Sequence, residues 1–126
     1  MRAGRQVDPS GELLRAHLAT VRGRVDVVHA VLRHTVSVLD SAADAAATPV
    51  QLLVNTLKVR AAEECYRAVD ELVDLVGLRH GYLLGSPLRL ERALRDLRSA
   101  SLNYGNDRLR LANGSLVLMD SQVRLV

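Results

Sequence analysis

The side chains in this sequence best suited to chemistry gather at one junction. Residues 95–110 read RDLRSASLNYGNDRLR: an Arg95-Asp96 pair on a helix, a sharp Tyr104-Gly105 turn, and a new helix starting near Asn106. A turn between two helices presents its side chains to whatever lies outside, so Arg95, Tyr104 and Asn106 are the first candidates for a site. A guanidinium such as Arg95 suits a phosphate or carboxylate. Tyr104 offers a phenol with a reference pKa near 10, a poor base unless strongly perturbed.

Four other constellations point to simpler roles. Asp26-Val-Val-His29 sets a carboxylate and an imidazole one helical turn apart, the spacing of di-iron bundles. Such sites need a second pair and further carboxylates. No second pair exists, and His17, His29, His34 and His80 show no ligand spacing, so no metal is expected. The acidic run Glu63, Glu64, Asp70, Glu71 and Asp74 alternates with Arg60 and Arg67 and puts Glu63 four residues before Arg67, which predicts a solvated, salt-bridged face. Arg89, Arg92, Arg95 and Arg98 recur every three residues and could hold phosphate, but Glu91 and Asp96 interrupt them and no aromatics stand by for stacking. With a net charge of only +3, no nucleic-acid partner is expected. Cys65 sits on an apolar stripe with no histidine in obvious reach and reads as core.

These residues need helices to carry them. Apolar residues make up 48% of the 126, nearly all Leu, Val and Ala, with no Phe or Trp, which suits an aliphatic helical core. An N-cap and proline at Asp8-Pro9 open a first helix whose Leu14, Leu18, Val21, Val25, Val28, Leu32 and Leu39 form one stripe to about Asp40. A second helix starts at a Thr48/Gln51 capping box and stops at Gly77. Its apolar set is wide (Val50, Leu53, Val54, Leu57, Ala61, Cys65 and Ala68 among it), with Leu52 and Val59 off the stripe, so it is expected to be covered on more than one side. A third helix is predicted from Ser86-Pro87 to Leu102, and a short fourth, capped by Asn106-Asp107, to Asn113-Gly114. The expectation is an all-α antiparallel helical bundle in one domain over residues 1–126, with 1–8 a flexible N-terminus and 115–126 a tail. Two helices of about 45 Å beside a half-length third leave apolar length uncovered, and an oligomer is expected to cover it. No apolar run reaches the roughly 18 residues of a membrane span, and no apolar segment follows the first charges as in a signal peptide. One cysteine excludes an internal disulfide and fits a reducing cytoplasm.

From about Leu14 to Leu111 the order of features resembles the C-terminal helical domain of the acyl-CoA dehydrogenase family. LRAHLATVRGRVDVVHAVLRHTVSVLD resembles that domain's second helix, and TLKVRAAEECYRAVDELVDLVG the next, which in the family leads into a Gln-x-x-Gly-Gly turn. SPLRLERALRDLRSASLNYGND resembles the proline-started helix, its Arg-Asp pair and the turn into the last helix. The resemblance implies a four-helix bundle that tetramerises, holds FAD between subunits and abuts an acyl-CoA thioester. There a glutamate removes the α-proton and the flavin takes the β-hydride, redox capacity that no side chain supplies. It implies cofactor contacts at Asp74, Gly77, Asn106 and Arg95. Three positions depart from the pattern. Tyr104 stands where the base glutamate is expected, Asp74 replaces the Gln with one glycine lost, and Asn106-Asp107 replace a small hydroxyl residue and an acid.

The reading that follows is a small subunit, or detached C-terminal domain, of an acyl-CoA dehydrogenase-like flavoenzyme. It would join oligomerisation to an FAD/acyl-CoA site completed by another chain, and is not expected to be active alone. Its partners would be further copies of itself or a larger dehydrogenase-like subunit, with an acyl-CoA or acyl-carrier thioester as substrate and no membrane contact. The alternative is a non-catalytic self-association or scaffold module descended from that family. A regulator's ligand-binding domain ranks third, since the residues before the first helix leave no room for a helix-turn-helix.

Overall fold

A computed structural model describes residues 11–77, 83, 85, 87–103 and 105–120. Tyr104, His80 and the expected N-terminal segment and end of the tail lie outside these. Four helices form the described chain: α1 (Glu12–Ser41), α2 (Thr48–Gly77), α3 (Leu90–Leu102) and α4 (Asn106–Met119). The fold is an all-α bundle with α2 at its centre. Helix α1 packs against α2, and α3 and α4 pack on α2 as well, so α2 is covered on more than one side, as its wide apolar set requires.

Helices α1 and α2 run antiparallel because only six residues join them. That link is held by an Asx-turn: the Asp44 carboxylate accepts the Ala46 N–H at 2.9 Å, and the Ala47 carbonyl then accepts from Val50 and Gln51. Thr48 is therefore the first helical residue rather than the expected N-cap. Helix α1 begins at Glu12 on Gly11, whose carbonyl accepts the Arg15 N–H; the expected start at Asp8-Pro9 lies outside the described residues. Helix α3 starts later than Ser86-Pro87 suggests. Pro87 and Leu88 lie in a turn and Arg89 takes a left-handed φ of 53°, a conformation that cannot continue a right-handed helix. Helix α4 continues past Gly114 to Met119. A single helical glycine costs only about 1 kcal/mol. Asn113, expected as a stop, instead spends its side chain on α2: its Oδ1 accepts from Asn55 Nδ2 at 3.0 Å and its Nδ2 donates to Thr56 Oγ1 at 3.5 Å.

The core of the single chain is thin. Among the described residues the buried apolar ones are Val28, Val50, Val59, Ala62 and Ala68, and the largest fully buried side chain is Thr35, whose hydroxyl bonds back to the Val31 carbonyl. Val59, expected off the apolar stripe, is in that core, and Val54, expected on it, is exposed. The α1 stripe divides by sevens. Val28 and Thr35, with Leu14 and Val21 in the same row, turn inward, while Leu18, Leu32 and Leu39 are each more than 40% exposed.

Polar contacts reinforce the α1–α2 pairing. Arg24 donates to Glu71 through Nε at 2.9 Å and a terminal nitrogen at 2.8 Å, and to Glu64 at 3.0 Å; Glu64 also accepts from Arg67 at 3.2 Å. The acidic run is therefore salt-bridged but solvated only in part, with Asp70 and Asp74 exposed. Glu64 is buried, and Glu63 pairs with Arg110 on α4 instead of Arg67. Burial alone would raise the Glu64 carboxyl, but the Arg24 hydrogen bond and the charges of Arg24, Arg60 and Arg67 outweigh it and hold the group below its ordinary 4.5. A carboxylate depressed on folding stabilises above its unfolded pKa and loses that contribution as pH falls through the folded one. Glu64→Gln is thus expected to cost about 2 kcal/mol at neutral pH, discounted for the partly exposed Arg24, and progressively less below about pH 4.5. Urea denaturation across the acid range checks this; a gap that stays constant with pH would contradict it.

Candidate functional site

The α3–α4 junction is built on one side chain. Lys58, the only lysine among 17 basic residues, rises from the middle of α2. Its Nζ donates to the Ala100 carbonyl at 2.9 Å and to Asn106 Oδ1 at 2.8 Å. The last carbonyls of a helix lack intrahelical donors and carry the negative end of its dipole, so an ammonium is well placed at the end of α3. The Asn103 N–H closes that helix on the Ser99 carbonyl at 2.9 Å. Helix α4 then starts on Gly105, whose carbonyl accepts from Arg108 and Leu109. The expected caps play other roles: Asn106 is buried against Lys58, and Asp107 reaches outward to Arg110 at 3.4 Å. Gly105 has φ −39°, and a Cβ there would meet nothing within 4 Å. The chain's own packing does not demand a glycine at this turn.

An open groove of about 400 Å³ lies between α2 and this junction. Tyr66 and Arg67 line it from α2, Arg98 and Ser101 from α3, and Asn106 from α4. Arg110 closes one side by bonding both Glu63 and Asp107.

The sequence-derived candidates fall in different places. Asn106 lines the groove. Asp74 is exposed near the far end of α2, and Gly77 is its last residue, with a left-handed φ of 77° that only glycine takes without strain. Sixteen residues of helix separate Lys58 from Asp74, hence about 24 Å. Arg95 is exposed on α3 and does not line the groove. Within one chain the four do not converge. Tyr104 lies outside the described residues. Asp26 is paired with Arg22 at 2.8 Å on the surface and His29 is exposed; among the described residues no three His, Cys, Asp or Glu side chains could share a metal ion. Cys65 is half-buried rather than core, and burial, then the Glu64 charge, push its thiol up, away from the reactive thiolate.

Sequence reasoning missed Lys58, Tyr66 and the buried Glu64. The signal for Lys58 was there: a solitary lysine in an arginine-rich chain, set in an apolar helix. Helices this short are marginal alone, so the lysine should matter out of proportion to its size. Lys58→Met is expected to cost about 2–3 kcal/mol and to speed amide exchange in α4 before α1. Asp70→Ala, exposed on the same helix, should stay within about 0.5 kcal/mol. A loss for Lys58→Met as small as that would remove the lysine from its central role.

The family described as "Acyl-CoA dehydrogenase, C-terminal domain" matches residues 9–115. No curated protein and no solved structure matches the chain. Among the described residues no helix is long and apolar enough to cross a membrane.

Proposed function

The chain belongs to the acyl-CoA dehydrogenase family through its C-terminal domain, and on that premise we propose that it serves as a helical subunit or domain of an acyl-CoA dehydrogenase-like flavoenzyme. Its task is assembly, together with a share of an FAD/acyl-CoA site that another chain completes. The observation that carries this reading is the separation of the candidate contacts. Asp74 and Gly77 stand at one end of α2 and Asn106 near its middle, which suits a site shared between subunits better than one enclosed by a single chain.

The residues fit a flavin in part. Gly77, at a left-handed helix end, permits close backbone approach. Arg95 offers a guanidinium to phosphate. Asn106, with Oδ1 turned to Lys58, has its amide N–H groups to offer. Asp74 is an acceptor without a donor; it suits a ribose hydroxyl and repels a pyrophosphate. When bound, the flavin supplies the hydride acceptor that side chains lack. The helices hold, orient and exclude water. Tyr104 carries a phenol, a residue type poorly suited to act as a base, and is not assigned as the base, so proton abstraction falls to a residue outside the described helices.

The alternative reading, a scaffold descended from the family, is favoured by Tyr104 in place of the base glutamate and by Asp74 in place of the Gln, with one glycine lost. The two separate in a flavin titration of the purified assembly, followed by quenching of FAD fluorescence. Saturable uptake is expected, and Asp74→Gln should tighten it about tenfold, near 1.4 kcal/mol, by removing the repulsion. Failure of both proteins to take up FAD would leave the scaffold reading standing.

A further inference from the structure

Glu91 is a buried carboxyl group that the fold leaves without a partner. It lies in the first turn of α3 and is only 9% exposed, and its Oε2 is shut off from water with no hydrogen bond. A buried carboxyl oxygen needs a donor, and leaving it without one costs more than a typical hydrogen bond contributes. The sequence holds a ready donor. Arg95, four residues on, has the spacing of a helical Glu–Arg pair, yet it is exposed and forms no ion pair with Glu91. Arg92 turns to Asp96 instead, at 4.0 Å.

Helix α2 supplies no donor either. Lys58 holds the Ala100 carbonyl near the end of α3, so α3 runs back along α2. Glu91, nine residues earlier, falls at the level of the C-terminal third of α2. From Ala68 to Gly77 that third carries Asp70, Glu71 and Asp74 and no lysine or arginine. Farther back, Lys58 is engaged at the junction and Arg67 with Glu64.

Unpaired cations stand elsewhere. Arg15 on α1 and Arg108 on α4 are exposed and form no ion pair among the described residues. Each stands three residues before an exposed leucine, Leu18 and Leu111, and so shares that leucine's face. A second copy docking through either leucine would carry the arginine into the contact. On the receiving side, Leu83 and Leu88 just ahead of α3 are exposed as well. An isologous contact would let each copy both give and receive.

We infer that Glu91 is an acceptor held for the assembled state, completed by an arginine of a second copy, Arg15 or Arg108. The inference rests on the assembly role proposed above and adds the charge pair that joins the copies. The lone carboxylate weakens the separated chain and strengthens the assembly.

Glu91→Gln tests this, because it keeps the shape and removes the charge. In dilute, dissociated protein it should raise the urea midpoint, since an uncompensated buried charge is gone. In sedimentation equilibrium the same variant should weaken self-association at least tenfold. A carboxylate with a purely structural role would not move the two readouts in opposite directions. Either Arg15→Gln or Arg108→Gln should weaken association as much, leave the urea midpoint of the dissociated chain unchanged, and add nothing to Glu91→Gln. A wild-type chain that stays monomeric would overturn both the assembly reading and this inference. A wild type that assembles, but whose association ignores Glu91→Gln or ignores both arginine variants, would overturn this inference alone.

Discussion

One ammonium group organises the junction between α3 and α4. Lys58 joins the end of α3 to the start of α4 from a fixed point on α2, through the Ala100 carbonyl and Asn106 Oδ1. Without it, helices of 13 and 14 residues would meet across a three-residue turn with little to set their angle. The opposite charges of the two helix ends facing each other add to the demand. A cation there suits the carbonyl end of α3 and would oppose the amide end of α4, and the Asn106 oxygen resolves that conflict by facing the lysine.

The same anchoring decides which side of α4 looks outward. Asn106, Arg110 and Asn113 recur at i, i+4 and i+7, so they share one face, and each bonds to α2. The helix therefore seats a polar stripe on its own chain. Leu111 and Leu118, 75% and 89% exposed, are left on the outside, the reverse of an ordinary surface helix. On α1 the row Leu18, Leu32 and Leu39 is open in the same way. Apolar surface on two separate helices, over a core of five buried apolar residues among those described, means that the fold of one chain completes only part of the burial. This is the physical ground on which the assembly role is proposed.

How much of this was legible beforehand depends on the range of the interaction. The bounds of α2 follow from Thr48-Pro49 and Gly77, and α1 from its recurring Leu and Val, because both signals are local. The α3 start was misplaced because a proline predicts a first turn only if the residues after it stay right-handed, and Arg89 does not. The α4 end was misplaced because Asn113-Gly114 has the composition of a stop, while the asparagine is engaged by Asn55 and Thr56. Glu64 and Lys58 were misjudged for one reason. Their partners Arg24 and Asn106 lie 40 and 48 residues away, and no periodicity reports such a pair. The junction itself was found from sequence; the groove beside it and the lysine beneath it needed the fold.

The central claim is that the exposed rows on α1 and α4 are covered by another copy of the chain or by a larger subunit. Sedimentation velocity of the purified protein at micromolar concentration, beside the double variant Leu32→Glu/Leu118→Glu, tests it most directly. The account predicts a single assembled species for the wild type and a folded, helical monomer for the variant. A wild-type chain that sediments as a stable monomer, and takes up no partner, would contradict it.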